Sequence, residues 1–251
     1  MLRYLFEEPR RQDEGILREA MEALNQYLRK LERGVLDERR ASRSSQQTEE
    51  TEKLVRSVII KAGGFIRALD ELEQSIYAAG QFSRRVRRRF IEEMDLEELD
   101  HYHRYLYFYK NALLRIFSTL DKLGYFLDEQ LKLETEKIKQ RFSYFTVLRR
   151  MHQRRPDLQM DNQLYQIKES FQASMTILRK QRNTETHFMN TELVDDLLQA
   201  KMELFPPGKT AVESLEDNLQ TLNQGYEMVC RSLTAAFAGL SHEFQRSGRH
   251  R

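Results

Sequence analysis

One short stretch of this chain carries the residue types of phosphoryl chemistry. Lys180-Gln181-Arg182-Asn183-Thr184-Glu185-Thr186-His187 interrupts an apolar stripe with polar side chains. Arginine presents a planar fork that can hold two non-bridging phosphate oxygens, and histidine can carry a proton near neutral pH. Asn183 and Thr184 are favoured N-cap residues, so the pattern predicts a helix starting here, with Arg182 just outside it and His187 near the end of its first turn. A helix start would turn free amide hydrogens and partial positive charge toward a phosphate, and would lower the pKa of a nearby histidine. Asn183 and His187, four apart, would share a face, so Asn183 could orient the imidazole or a phosphate.

A second cluster, Arg84-Arg85-Val86-Arg87-Arg88-Arg89, could neutralise several phosphates of an RNA strand. The acids that follow, Glu92, Glu93, Asp95, Glu97 and Glu98, equally suit a helix face that is simply solvated. Glu98, Asp100, His101 and His103 are metal-ligand types, but His101 and His103 stand two apart and would point to nearly opposite sides of a helix. No metal site is expected. Tyr102, Tyr105, Phe108 and Tyr109 could stack on bases, yet in a long amphipathic helix they read as core aromatics. The single cysteine, Cys230, closes no intrachain disulfide and reads as a small, inert core residue. There is no glycine-rich phosphate loop, and no cofactor is expected.

The elements that must position these residues are helical. Only 10 Gly and 4 Pro punctuate 251 residues, too few for the turns of an all-β fold. Apolar residues recur every three or four positions from Leu54 to Ile76, from Leu99 to Leu127 and from Val212 to Leu240, with weaker patterns at 16–33, 138–151, 162–181 and 188–203. Residues 154–157 and Pro206-Pro207-Gly208 should end helices. The segment 37–53 is a linker or a solvated extension of a helix, and Gly63-Gly64 would permit close helix approach or mark a kink. The expected fold is all-α: an elongated up-and-down bundle forming a single domain over 1–251, with its core at about 50–245 and an N-terminal helix plus polar linker or extension over 1–50. Net charge is +2, from 41 basic and 39 acidic residues, and 29 of the basic residues are Arg. No stretch is apolar enough for a membrane span, and residues 1–30 lack the apolar core of a secretory signal, so a cytoplasmic location is expected.

Arg182 and His187, with Asn183 directly after the arginine, resemble the R-x4-6-H signature of the HEPN superfamily. These are helical domains that include many metal-independent ribonucleases. The helical layout over roughly 50–245 is similar as well. The resemblance implies an HEPN-like bundle with additional helices, and a homodimer in which two such motifs face each other. It also implies an endoribonuclease needing no metal or cofactor. His187 would serve as general base on a ribose 2′-hydroxyl or as acid to the leaving 5′-oxygen, Arg182 would stabilise the phosphorane, and Asn183 and Thr184 would support them. RNA contacts would fall to Arg84, Arg85, Arg87, Arg88 and Arg89, and an antitoxin-like protein partner is compatible with this picture. A reading from another class is a non-catalytic interaction or oligomerisation module, RNA- or nucleotide-binding, built on the heptad seam at 212–240.

Overall fold

Apolar periodicity becomes seven α-helices among the described residues of a computed structural model, which are 2–41, 45–187 and 209–248. They are α1 (Gly15–Ala41), α2 (Ser45–Ser83), α3 (Leu96–Leu131), α4 (Tyr144–Arg154), α5 (Gln159–Ser170), α6 (Gln172–His187) and α7 (Leu215–Gly248). Short 3-10 turns lie at Leu2–Phe6, Ile91–Glu93 and Thr135–Lys137. No strand occurs among the described residues beyond one isolated antiparallel bridge, Phe90 with Ala211. The fold is all-α. The proline break falls as expected, with α4 ending at Arg154 and α5 starting at Gln159. The break at Pro206-Pro207 and the helical pattern at 188–203 lie outside the described residues.

Of the two readings of 37–53, the described residues follow the helical extension, α1 through Ala41 and α2 from Ser45, because Glu, Gln, Lys and Arg lose little rotamer freedom in a helix. Other local expectations are corrected. Leu54 is 65% exposed rather than buried with Val58, Ala62 and Phe65. The weak pattern at 138–151 becomes a helix only from Tyr144, whose amide donates to Asp121. The pattern at 162–181 spans two helices separated at Phe171. A Cβ added at Gly63 would meet nothing within 4 Å, so that glycine permits no close approach. Gly225 does: a Cβ there would lie 2.6 Å from Leu178 and 2.8 Å from Ile116, seating α7 tightly on α6 and α3.

The chain packs as two compact units. The first comprises 1–11, 71–117 and 170–227, and so holds the end of α2, most of α3, α6 and the start of α7. Its N-terminal turn docks on α2: Arg3 and Arg11 both reach Glu73, and Phe6 meets Tyr77 and Phe82 edge-on. Burial favours the protonated acid at Glu73, but hydrogen bonds from Arg3 and Arg11 outweigh it and hold the carboxyl below its usual range. The second unit comprises 12–70, 118–169 and 228–251. Its core clusters Tyr27, Phe65, Phe126 and Phe237, with Tyr144 buried beside Ser232. Cys230, the chain's single cysteine, is buried, as expected of a small core residue.

Candidate functional site

Both candidate clusters belong to the first unit. The polar stretch 182–187 does not open a helix. It lies within α6, which starts at Gln172, so the amides at 182–187 are not those of a helix start, and the anion site expected from one is not formed there. Asn183 and Thr184 cap nothing: the Asn183 Oδ1 accepts from Arg182 Nε at 3.2 Å and Nη2 at 3.0 Å, and the Thr184 hydroxyl donates back to the Lys180 carbonyl. The physical reason is that α6 is anchored on the near side of this stretch. Met175 and Leu178 are buried, and Gln181 accepts from the Tyr109 hydroxyl at 2.8 Å while donating to Asn218 at 3.2 Å. A capping preference of about 1 kcal/mol does not break a helix so held.

Arg182 is partly buried, its guanidinium 4.6 Å above the Phe117 ring and fixed in plane by Asn183. Glu185, also on α6, pairs with Lys110 of α3 at 3.2 Å. His187 is the last residue of α6, and its side chain lies outside the described residues. Backbone geometry alone carries a consequence: at 100° per residue, position 187 is turned about 140° around the helix axis from position 182. The two do not share a face of α6, whereas Asn183 and His187 do.

The arginine run is a loop and not a solvated helix face. Residues 84–89 follow the end of α2, and Arg84, Arg85, Arg87, Arg88 and Arg89 are all exposed. Its acidic neighbours are engaged elsewhere. Glu98 accepts the backbone amides of Arg87 and Arg88, the latter at 2.6 Å. Glu92 accepts the Thr210 amide at 2.9 and 2.8 Å, Glu93 pairs with Lys209 at 2.7 Å, Asp95 caps α3 through the Glu98 amide, and Glu97 lies 3.7 Å from His101. The Thr210 bonds hold the Glu92 carboxyl below its ordinary value. The far end of the loop is tied by Ile91 N to Thr210 O at 2.9 Å and Val212 N to Arg89 O at 2.8 Å. Arg84, Arg88 and Arg89 line a cleft of about 1010 Å³ with Glu213, Glu216, Gln220 and Asn223.

Beneath the cleft, Tyr102, Tyr105 and Tyr109 form a buried row with successive ring centroids 6.4 and 5.7 Å apart. Tyr102 donates to Glu213 Oε2 at 2.8 Å, while the buried Oε1 has no partner among the described residues. These tyrosines are core, as their periodicity indicates; Phe108 is partly exposed and stacks on Phe82. His101 is buried and His103 exposed, consistent with opposite sides of α3, and no group of three metal-ligating side chains converges among the described residues. No helix among the described residues is long and apolar enough to cross a membrane. Sequence reasoning did not single out Glu213, and gave Glu98 and Gln181 no role in holding the loop or α6. Only the polar positions 216, 220 and 223, on the face of α7 away from Leu222, left a readable periodic signal.

The family model of the Cthe2314-like HEPN proteins covers residues 62–241, most of the chain. No curated protein and no solved structure matches it.

Proposed function

Because the chain belongs to the Cthe2314-like HEPN family, we propose that it is a metal-independent endoribonuclease whose site is shared between two copies. His187 takes the proton of a ribose 2′-hydroxyl, the 2′-oxygen attacks the adjacent phosphorus, and the 5′-oxygen leaves with a proton from a second acid. Arg182 stabilises the charge that builds on the non-bridging oxygens. The observation that carries this reading is the setting of Arg182. Asn183 and Phe117 hold its guanidinium in one plane, a preorganised fork on α6. The rotation of about 140° between positions 182 and 187 supports the shared site, since one copy's pair does not share a helix face. Asn183 and Thr184 then act by positioning.

The test incubates mixed-sequence RNA with wild type, His187→Ala and Arg182→Lys, with and without chelator. His187→Ala should lose about 10²–10⁴-fold in rate, Arg182→Lys should also be damaged, and wild-type cleavage should survive chelation and stop on a 2′-deoxy substrate. Mixing the two inactive variants Arg182→Ala and His187→Ala should restore about a quarter of wild-type activity, since half the dimers are mixed and each holds one intact composite site. Undiminished cleavage by His187→Ala would discard the ribonuclease. Activity lost in both variants but never restored by mixing would discard the shared site.

A further inference from the structure

The cleft beside residues 84–89 has no role in the bond-breaking steps above. We propose that it is an RNA-docking groove that grips the phosphodiester backbone with Arg84 and Arg88 and reads ribose hydroxyls with the Glu216, Gln220 and Asn223 face of α7. This rests on RNA being the substrate.

Four observations point there. Arg84 and Arg88 are exposed, and among the described residues no carboxylate pairs with either guanidinium. Among the described residues neither guanidinium is therefore tied up in an ion pair, and both are available to a phosphate although net charge is only +2. The loop is also held in shape: Glu98 binds the amides of Arg87 and Arg88, and the Phe90–Ala211 bridge closes its far end. A strand that binds a preformed loop spends less on ordering it. The facing wall carries oxygen acceptors at positions 216, 220 and 223, spaced to share one side of α7. The ribose 2′-hydroxyl is a donor that DNA lacks, so this wall distinguishes the two polymers. Finally, the cleft's volume of about 1010 Å³ is at the upper end of small-molecule sites, and its described lining contains no aromatic ring. Contact is then with backbone and sugar rather than with stacked bases, and binding is indifferent to sequence.

Binding is measured by fluorescence anisotropy of a labelled mixed-sequence single-stranded RNA. The full chain carries His187→Ala so that the probe stays intact, and salt is varied. Arg84→Ala/Arg88→Ala should weaken binding about tenfold and flatten the slope of log K against log salt by about 1.4, the loss of two single-strand phosphate contacts. Arg29→Ala/Arg149→Ala, which removes two exposed arginines of the second unit, should change affinity less than about twofold. Glu98→Ala separates a shaped site from bulk charge. It makes the chain more positive, yet should weaken binding because the loop is released, and Glu98→Gln, which keeps an oxygen acceptor, should recover most of the loss. DNA of the same sequence should bind more weakly.

Equal loss from the two arginine pairs, tighter binding by Glu98→Ala, or equal affinity for RNA and DNA would overturn the groove. Melting temperatures measured alongside identify a variant that has unfolded, and the Glu98→Gln comparison then decides. Arginine-dependent binding by a wild type that never cleaves RNA would remove the ribonuclease and leave the groove. Cleavage with undiminished binding in Arg84→Ala/Arg88→Ala would do the reverse.

Discussion

In the first unit, Tyr102 and Tyr109 direct their hydroxyls to Glu213 and Gln181, side chains from the segments that frame the arginine cleft and carry Arg182. In the second unit, Tyr27, Phe65, Phe126 and Phe237 meet mainly through their rings, with centroids 5.4–6.3 Å apart, and the one phenol among them makes a long 3.4 Å bond to Gln130. Aromatic area supplies stability in both. In the first unit it also bears on where polar segments sit, since a buried hydroxyl is costly unless its partner is in place; in the second the buried Tyr144 hydroxyl likewise meets Ser232 at 3.1 Å. The units differ in what those hydroxyls hold: Glu213 and Gln181, beside the candidate clusters, in the first, and Ser232, on a core helix, in the second.

The comparison is broken most forcefully from the apolar side. Phe237 is fully buried among three aromatic rings, and Phe237→Ala should cost about 3–5 kcal/mol in denaturant unfolding. Next is alkaline pH. Burial, with the Glu213 charge adding to it, pushes the phenols of Tyr102, Tyr105 and Tyr109 far above their ordinary value, and burial pushes Tyr27 up to about 12. The folded pKa values are raised, so this contribution to stability is complete below the unfolded value of about 10 and is lost as pH rises past it. Phenolate absorbance of these tyrosines should therefore appear together with loss of helical circular dichroism, and ionisation without unfolding would contradict their burial.

A smaller effect contrasts the two units directly. Tyr102→Phe leaves Glu213 Oε2 without its donor beside an Oε1 that already has none, and should cost about 1–3 kcal/mol; Tyr27→Phe gives up only a long bond and should cost less than about 1 kcal/mol. Equal costs would show that the polar core of the first unit is no more specific than the apolar one. The smallest effect is expected at Arg182→Ala. This removes a partly exposed cation above Phe117, changing stability by less than about 1 kcal/mol while removing RNA cleavage.

The amino-acid sequence by itself determined the helices and much of the core. Val58, Phe65, Leu72, Leu113, Leu120, Leu222 and Leu233 are buried where a period of three to four places them, because helical periodicity is local and is written in neighbouring residues. Family membership was legible in Arg182, Asn183 and His187, and the family match over 62–241 agrees with it. What the tertiary structure decided was the setting of the motif and of the arginine run. Asn183 and Thr184 look like caps because capping preference is intrinsic, but Gln181, held by Tyr109 and Asn218, keeps α6 running through them. The acids at 92–98 look like neutralising partners of the arginines because they are close in sequence. Glu98 instead turns to the loop's amides, and Glu92 and Glu93 bind Thr210 and Lys209, more than a hundred positions away. Local preferences are worth about 1 kcal/mol each, and several hydrogen bonds made across the fold together outweigh them.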